Sequence, residues 1–359
     1  MSSLAQLKLN NRNQLVAFVA LGVLVLILPF LAGMLGQAWV RILNVTLLYV
    51  MLALGLNVVV GVAGLLDLGY VAFYAVGAYT WSLLASAHFD LHWPFWVLLP
   101  LGAGLAAFAG LMLGAPVLKL RGDYLAIVTL GFGEIVRILI NNFDKVGLPW
   151  SDETYNITNG PRGITGIDGL HFFGFELRKG LDVFGFQVTG LQLYYFVFLA
   201  FAILSVIGVY RLQHSRLGRA WQALREDEIA AKAMGINTRN IKLAAFAFGA
   251  LTGGLAGGLF ASMQGFVSPE SFGLLESIMI LAMVVLGGMG HIPGVILGAV
   301  LLSAMPEVIR YAADENVQEK IFGMVLIAPE VLRNLIFSLA LILIMLFKPQ
   351  GLWPSPEKK

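Results

Sequence analysis

The sequence predicts an all-α polytopic membrane protein with about ten transmembrane segments. Two observations favour this class: the overall composition, and apolar runs long enough to cross a bilayer. Hydrophobic residues fill 58% of the 359 positions and charged residues only 12%, about half the charged share of soluble globular domains. A water-soluble fold of this length would need far more polar surface to cover its core.

Eight apolar runs have at least the ~17 residues that a helix needs to span hydrocarbon. The first run follows Lys8 and Arg12, as in a signal peptide. It is longer than the usual signal core and no cleavage site is obvious after it, so we interpret it as a membrane helix. The runs cover residues 15–35, 42–62, 68–87, 95–118, 123–141, 192–211, 242–264 and 331–347.

A ninth, longer apolar stretch from Ile278 to Met305 contains a cluster of helix-breaking residues. One straight helix does not tolerate that cluster, so we expect two shorter helices that meet near His291. The total is then ten segments, with eight or nine as the nearest alternatives. The residues of the predicted helix break are Gly287, Gly288, Gly290, Pro293 and Gly294.

Lysine and arginine placement predicts the orientation, because cytoplasmic loops are enriched in basic residues. With ten crossings and a cytoplasmic N-terminus, the C-terminus is cytoplasmic too. The inner regions then contain 14 of the 23 basic residues. The outer loop 142–190 has only four, which are Lys145, Arg162, Arg178 and Lys179.

These assignments divide the chain into a cytoplasmic tail (1–14), one transmembrane domain (15–348) and a second cytoplasmic tail (349–359). Loop 142–190 is either a lid or docking surface, or an inert connector; long loops in compact proteins favour the functional alternative. The stretch Thr158–Gly163 is typical of a turn, since it contains Asn, Gly and Pro. No cysteine is present to form a disulfide or a thiolate metal site.

The segment 212–242 interrupts the apolar pattern with charged and strongly helix-forming residues. We predict a short amphipathic helix with Leu224, Ala231 and Met234 near one face. Gly235 follows as the residue that ends the helix. The alternative is an ordinary charged loop that only obeys the positive-inside rule.

Within this segment Glu226-Asp227, Ala230 and Gly235-Ile236 resemble the coupling motif of binding-protein-dependent ABC transporter permeases. The wider sequence resembles branched-chain amino acid permeases of the LivM type. The similar blocks are LKLRGDYLAIVTLGFGEIVRILINN (118–142), TNGPRGITGI (158–167), LGRAWQALREDEIAAKAMGI (217–236), GGLFASMQGFVSPESF (257–272), VVLGGMG (284–290) and KPQGL (348–352).

The resemblance implies a permease subunit of an ABC importer in the bacterial inner membrane, for branched-chain or related apolar amino acids. It implies four kinds of partner: a second, LivH-like permease, two ATP-binding subunits, a soluble substrate-binding protein and the lipid bilayer. It also implies that the ATPase binds a coupling surface on this segment. The residues of that surface are Arg225, Glu226, Asp227, Ala230, Ala231, Gly235 and Ile236.

The chain lacks a G-x-x-x-x-G-K-[ST] loop, so we expect ATP hydrolysis on a partner and no enzyme activity here. We expect no cofactor and no nucleic-acid partner, given a net charge of +2. An importer of urea or short amides is the alternative within this family. An ion-driven secondary carrier is the alternative from another class, which would need ionisable relays deep in several spans.

Four polar residues inside or beside the predicted spans are candidates for the transport pathway: Asn57, Asp67, Glu134 and Arg137. Glu134 and Arg137 share a helix face and either pair structurally or line the pathway. Asp67 is more typical of an N-cap for the third span. The group His88, Asp90 and His92 is only a weak metal-site signal.

Small residues repeat at four-residue spacing along the seventh span and again after the helix break. Such a stripe lets another backbone approach closely. Packing within the chain is favoured over an interface with another subunit. The two stripes are Ala245, Gly249, Gly253, Gly257 and Ala261, and Gly290, Gly294 and Gly298.

Overall fold

The computed structural model describes residues 11–117, 120, 122–147, 154–172, 175–183, 186–312 and 351–353, with isolated positions between 331 and 348. Across these residues the protein is mostly helical. Five of the described helices are long and apolar enough to cross a membrane, and three more are shorter and apolar. The predicted class, a helical polytopic membrane protein, is confirmed. The count of ten segments stays a prediction, because most of the last one lies outside the described residues.

Eleven α-helices are described, and a π-helical turn (Val58–Val62) extends the second. Breaks fall at glycines such as Gly36, between the first two helices, and Gly122, before the fifth. The helices are α1 (Asn11–Leu35), α2 (Gln37–Asn57), α3 (Val71–Leu84), α4 (Phe95–Val117), α5 (Asp123–Asn142), α6 (Gly190–Gln213), α7 (Arg216–Glu226), α8 (Glu228–Ala233), α9 (Thr238–Gln264), α10 (Leu274–Gly287) and α11 (Ile292–Ala312).

Among the described residues, ten short strands form five two-stranded antiparallel pairs. In one pair, the long loop is joined to the residues that follow α9. The strands are β1 (Ala85–Ser86), β2 (Leu91–His92), β3 (Val146–Gly147), β4 (Thr154–Tyr155), β5 (Ile164–Thr165), β6 (His171–Phe172), β7 (Phe175–Glu176), β8 (Leu181–Val183), β9 (Phe186–Val188) and β10 (Phe266–Val267).

The predicted helix break is confirmed, since α10 ends at Gly287 and α11 begins at Ile292. Gly288 and Gly290 have φ angles of 114° and 85°, which only glycine adopts without strain. Pro293 lies in the first turn of α11, where a missing N–H costs nothing. We expected two short helices on either side of the break, but α11 is 21 residues long. That part of the expectation was wrong.

Helix α9 packs closely against α3 and α4 through its small residues. A Cβ added to Gly257 would lie 2.1 Å from the Tyr74 carbonyl oxygen, and one added to Gly77 would lie 2.0 Å from the Gly254 carbonyl oxygen. These backbones therefore touch directly, as the stripe predicts for packing within the chain. The second stripe also brings two backbones together. A Cβ added to Gly298 of α11 would lie 2.2 Å from the Met283 carbonyl oxygen of α10.

The connections collect at two opposite ends of the helices, separated by the ~40 Å length of a 27-residue helix such as α9. We call them the loop end (the described residues within 85–94, 142–190 and 265–273) and the polar end (61–70, 212–237, 288–291 and 351–353). At the loop end Arg178 donates to the carbonyl oxygens of Ser262 and Ile167. The predicted turn is confirmed there, as a 3-10 helix over Gly160–Arg162.

Gly257→Ala should destabilise the protein by about 1–3 kcal/mol, because the added methyl group has no space between two backbones. Gly131→Ala is the matched control in α5, where an added Cβ would meet nothing within 4 Å. Melting temperatures of the two variants in the same detergent check this. Equal melting temperatures for both variants would contradict the direct backbone contact.

Candidate functional site

The segment 212–242 forms two helices with a corner at Asp227, not the single helix that we predicted. Asp227 has an extended backbone (φ −155°), and its Oδ1 accepts hydrogen bonds from the N–H groups of Ile229 (2.7 Å) and Ala230 (3.1 Å). Aspartate competes with the helix backbone in this way, which makes it a good N-cap and a poor interior residue. Glu226 therefore ends α7, and Asp227 caps α8.

One face of these two helices packs against the bundle. Trp221, Leu224 and Ala231 are buried, and the Trp221 indole N–H donates to the Ile241 carbonyl oxygen at 2.7 Å. Met234 was predicted on this face, but it is 83% exposed. The chain changes direction at Asp227, between α7 and α8. The spacing of buried residues that holds in α7 therefore does not extend to Met234.

The outer surface of the same segment carries most of the predicted coupling residues. Arg225, Glu226, Asp227, Ala230 and Gly235 are exposed. Ala231 is buried and Ile236 is half-buried. Ile229 and Met234 add an exposed apolar patch that the prediction did not include, with Ile229 at 68% exposure. Apolar side chains within a charged surface are typical of a protein-binding site.

Gly235 occupies the predicted position after α8, with a φ angle of +83°. A Cβ added there would meet nothing within 4 Å, so the conformation and not the space requires glycine. Behind this turn the Lys242 ammonium lies 2.7 Å from the Glu228 carboxylate, with Lys242 buried. That ion pair fixes α8 to the start of α9.

Arg225 connects the segment to the membrane helices. Its Nη1 donates to the carbonyl oxygen of Gly61, in the π-helical turn that extends α2. A Cβ added to Gly64 would lie 2.8 Å from the Arg225 Cγ, and one added to Gly290 would lie 3.3 Å from its Nη1. The arginine side chain therefore fills the space between the end of α2 and the helix break.

Asn57 and Asp67 are both buried at the polar end. Asn57 Oδ1 accepts from the Gly290 N–H at 2.8 Å, which ties α2 to the helix break. Asp67 does not cap α3, so that expectation was wrong: its Oδ1 accepts from the Gly69 N–H at 2.9 Å, and α3 begins after Tyr70. The aspartate closes a local turn, and the next residue, Leu68, donates to Thr129 Oγ1 of α5.

Residues 351–353, which the sequence assigned to a cytoplasmic tail, are bound to the helix break. The Leu352 N–H donates to the Leu286 carbonyl oxygen (2.7 Å), and the Trp353 N–H donates to that of Gly287 (3.2 Å). The His291 Nδ1 lies 3.1 Å from the Trp353 carbonyl oxygen. These bonds satisfy carbonyl groups that the end of α10 leaves without helical partners. Only the KPQGL block signalled this segment, and nothing in it indicated the contact.

Glu134 and Arg137 form an ion pair, which is one of the two alternatives that their spacing left open. The Arg137 Nε lies 3.0 Å from each carboxylate oxygen of Glu134, and Nη2 also contacts Oε1. Both side chains are about one third exposed. The pair lies on α5, away from the junction at Arg225.

At the loop end, His92 joins the hairpin β1–β2 to the long loop. Its Nδ1 lies 2.5 Å from Asp168 Oδ2, and its Nε2 lies 3.5 Å from Asp90 Oδ1. The hydrogen bond to Asp168 raises the pKa of His92 above 6.5, and Asp90 adds to the shift. His88 instead contacts the Asn156 carbonyl oxygen. In the part of the chain that the structure describes, no three His, Cys, Asp or Glu residues are grouped to hold a metal.

The membrane helices and the polar segment bound across their end define a helical, multi-pass membrane protein. Residues 38–346 match the protein family described as branched-chain amino acid transport system / permease component. The chain belongs to this family. It is a transmembrane permease subunit and not the ATPase.

Named relatives agree with this assignment. The chain is 45% identical to the high-affinity branched-chain amino acid transport system permease protein LivM of Escherichia coli K12, over 95% of this chain and 75% of that protein. It is 27% identical to BraD of Pseudomonas aeruginosa, over 89% and 96% of the two chains. It is 25% identical to the LivH permease of Salmonella typhimurium, over 86% and 92%. No solved structure matches the chain.

The His92 contact should make the loop end pH-dependent. A folded-state pKa above 6.5 means that the contact stabilises the fold fully below about pH 6.5, and that this stabilisation is lost as the pH rises through the folded-state pKa. The difference in melting temperature between wild type and His92→Gln should therefore shrink from pH 6 to pH 9. His88→Gln is the control, and a difference that grows with pH would contradict the assigned contact.

Proposed function

We propose that this chain is the LivM-type permease subunit of an ABC importer that takes up branched-chain amino acids. The observation that carries the proposal is the 45% identity to E. coli LivM across 95% of the chain. The cargo has a charged backbone and an apolar side chain, and we expect a mainly apolar pathway with few fixed charges. The helices supply such surroundings, since hydrophobic residues make up 58% of the chain.

We further propose the partners and the orientation. A second, LivH-like permease pairs with this chain, two ATP-binding subunits dock at the polar end, and a soluble binding protein docks at the loop end. The polar end is then cytoplasmic, and ten segments place both termini there, in a bacterial inner membrane. The positive-inside rule supports this orientation, because loop 142–190 has only four basic residues.

The coupling proposal follows from the contacts of segment 212–242. The exposed surface formed by Ile229, Met234 and their charged neighbours would bind the ATPase. Movement of that surface would act on Arg225, and Arg225 contacts both the end of α2 and the helix break. A rigid shift of α7 would therefore tilt α2, α10 and α11 together, which is the change that alternating access requires.

The import activity should need all partners. Proteoliposomes with both permeases and both ATP-binding subunits, supplied with the binding protein, should accumulate leucine only with ATP inside. This chain alone should neither hydrolyse ATP nor accumulate leucine under an ion gradient. Uptake of radiolabelled leucine and of urea by the same vesicles distinguishes the two cargoes, and gradient-driven uptake by the isolated chain would rule out the importer.

The coupling role should depend on the Gly235 turn. Gly235→Val forces a β-branched residue into positive φ, at a local cost of about 1–3 kcal/mol, and it should abolish uptake with normal membrane abundance. Gly235→Asn should keep uptake, because asparagine tolerates this conformation. Abundance, co-purification of the ATPase and leucine uptake are measured in the same cells. Normal uptake by the valine variant would show that the segment is an ordinary charged loop without a coupling role.

A further inference from the structure

A cavity of about 460 Å³ opens between α2, α10 and α11. Its volume lies in the ~300–1,000 Å³ range that is usual for small-molecule sites. One face of α2 lines it with Val45 and Tyr49, and Met283 of α10 and Leu302 of α11 form the opposite wall. The site is apart from the Arg225 junction, and the coupling proposal does not use it.

The charges of the cavity lie at its loop end. Arg41 is one turn into α2, and its Nη2 donates to Oε1 of Gln264, the last residue of α9, at 2.7 Å. Ser303 Oγ donates to Thr46 Oγ1 at 2.9 Å, which sets the register between antiparallel α2 and α11. Glu307, one turn beyond Ser303, is therefore level with the Arg41 turn.

The cavity thus has a cationic and an anionic side chain at one end and an apolar interior. Arg41 suits a carboxylate, since a guanidinium offers five N–H donors and the contact with Gln264 uses one of them. Glu307 suits an ammonium group. Val45, Met283 and Leu302 suit a branched aliphatic side chain, and the flexible methionine can adapt to chains of different shape.

We infer that this cavity is a binding site for a free α-amino acid with an apolar side chain, entered from the loop end. The inference rests on the proposed function and adds to it the side chains that hold the cargo. The α-carboxylate lies against Arg41, the ammonium group against Glu307, and the side chain points toward Met283. An apolar helix of a second permease would not require the two charges at the loop end of the cavity, so the amino acid is the favoured occupant.

The test uses the complete importer in proteoliposomes and initial rates of leucine and alanine uptake. Arg41→Gln should raise the KM for both amino acids about 10-fold or more, because it removes a charged hydrogen-bond donor, and kcat should change little. Gln264→Ala is its control: it removes the contact to Arg41 and keeps the charge, so the KM should rise much less.

The dependence of uptake on the size of the amino acid distinguishes a binding role of the cavity from a purely structural one. Val45→Phe narrows the cavity and should impair leucine uptake several-fold more than alanine uptake. Val300→Phe is the control. Val300 lies on α11 with 41% of its surface exposed, so this substitution should change neither leucine uptake nor alanine uptake. Equal effects of both substitutions on the two amino acids, together with a wild-type KM in Arg41→Gln, would overturn the site.

Two other outcomes would also overturn the inference. Loss of the second permease from the purified complex in Val45→Phe would identify the cavity as a subunit interface. A wild-type complex that imports no branched-chain amino acid would disprove the proposed function, and the inference would fail with it. If wild type imports leucine and the cavity variants behave like their controls, only the inference fails.

Discussion

The contact between Arg225 and the Gly61 carbonyl oxygen joins two parts of the protein that differ in their surroundings. Arg225 belongs to a charged helix outside the apolar bundle, and Gly61 belongs to the π-helical turn that ends α2. A buried carbonyl without a helical partner needs a donor, and a guanidinium is a strong one. Glycines at positions 64 and 290 leave the space for it. Larger residues there would displace α7 from the bundle.

The bundle itself is suited to transmit a displacement at this junction. Helices α3, α4 and α9 meet through glycines, so their backbones touch without flexible side chains between them. Close-packed interfaces of this kind shift as units. By contrast, the cavity between α2, α10 and α11 near Arg41 leaves room for a change of shape.

Local rules predicted much of this structure from the sequence. The break after Gly287, the helix end at Gly235 and the shared helix face of Glu134 and Arg137 each depend on residues a few positions apart. The corner at Asp227 was missed because the surrounding residues favour a continuous helix, and one side chain decides against it. Contacts over long separations were beyond such rules. Arg41 and Gln264 are 223 positions apart, and no local pattern indicates their meeting.

The binding of residues 351–353 to the helix break imposes an order on biosynthesis. All the described helices are made before these residues leave the ribosome, so the carbonyl groups at the end of α10 have no partner until then. The junction next to Arg225 is completed last. A chain that stops short of Gly351 would insert its helices and still lack a finished polar end.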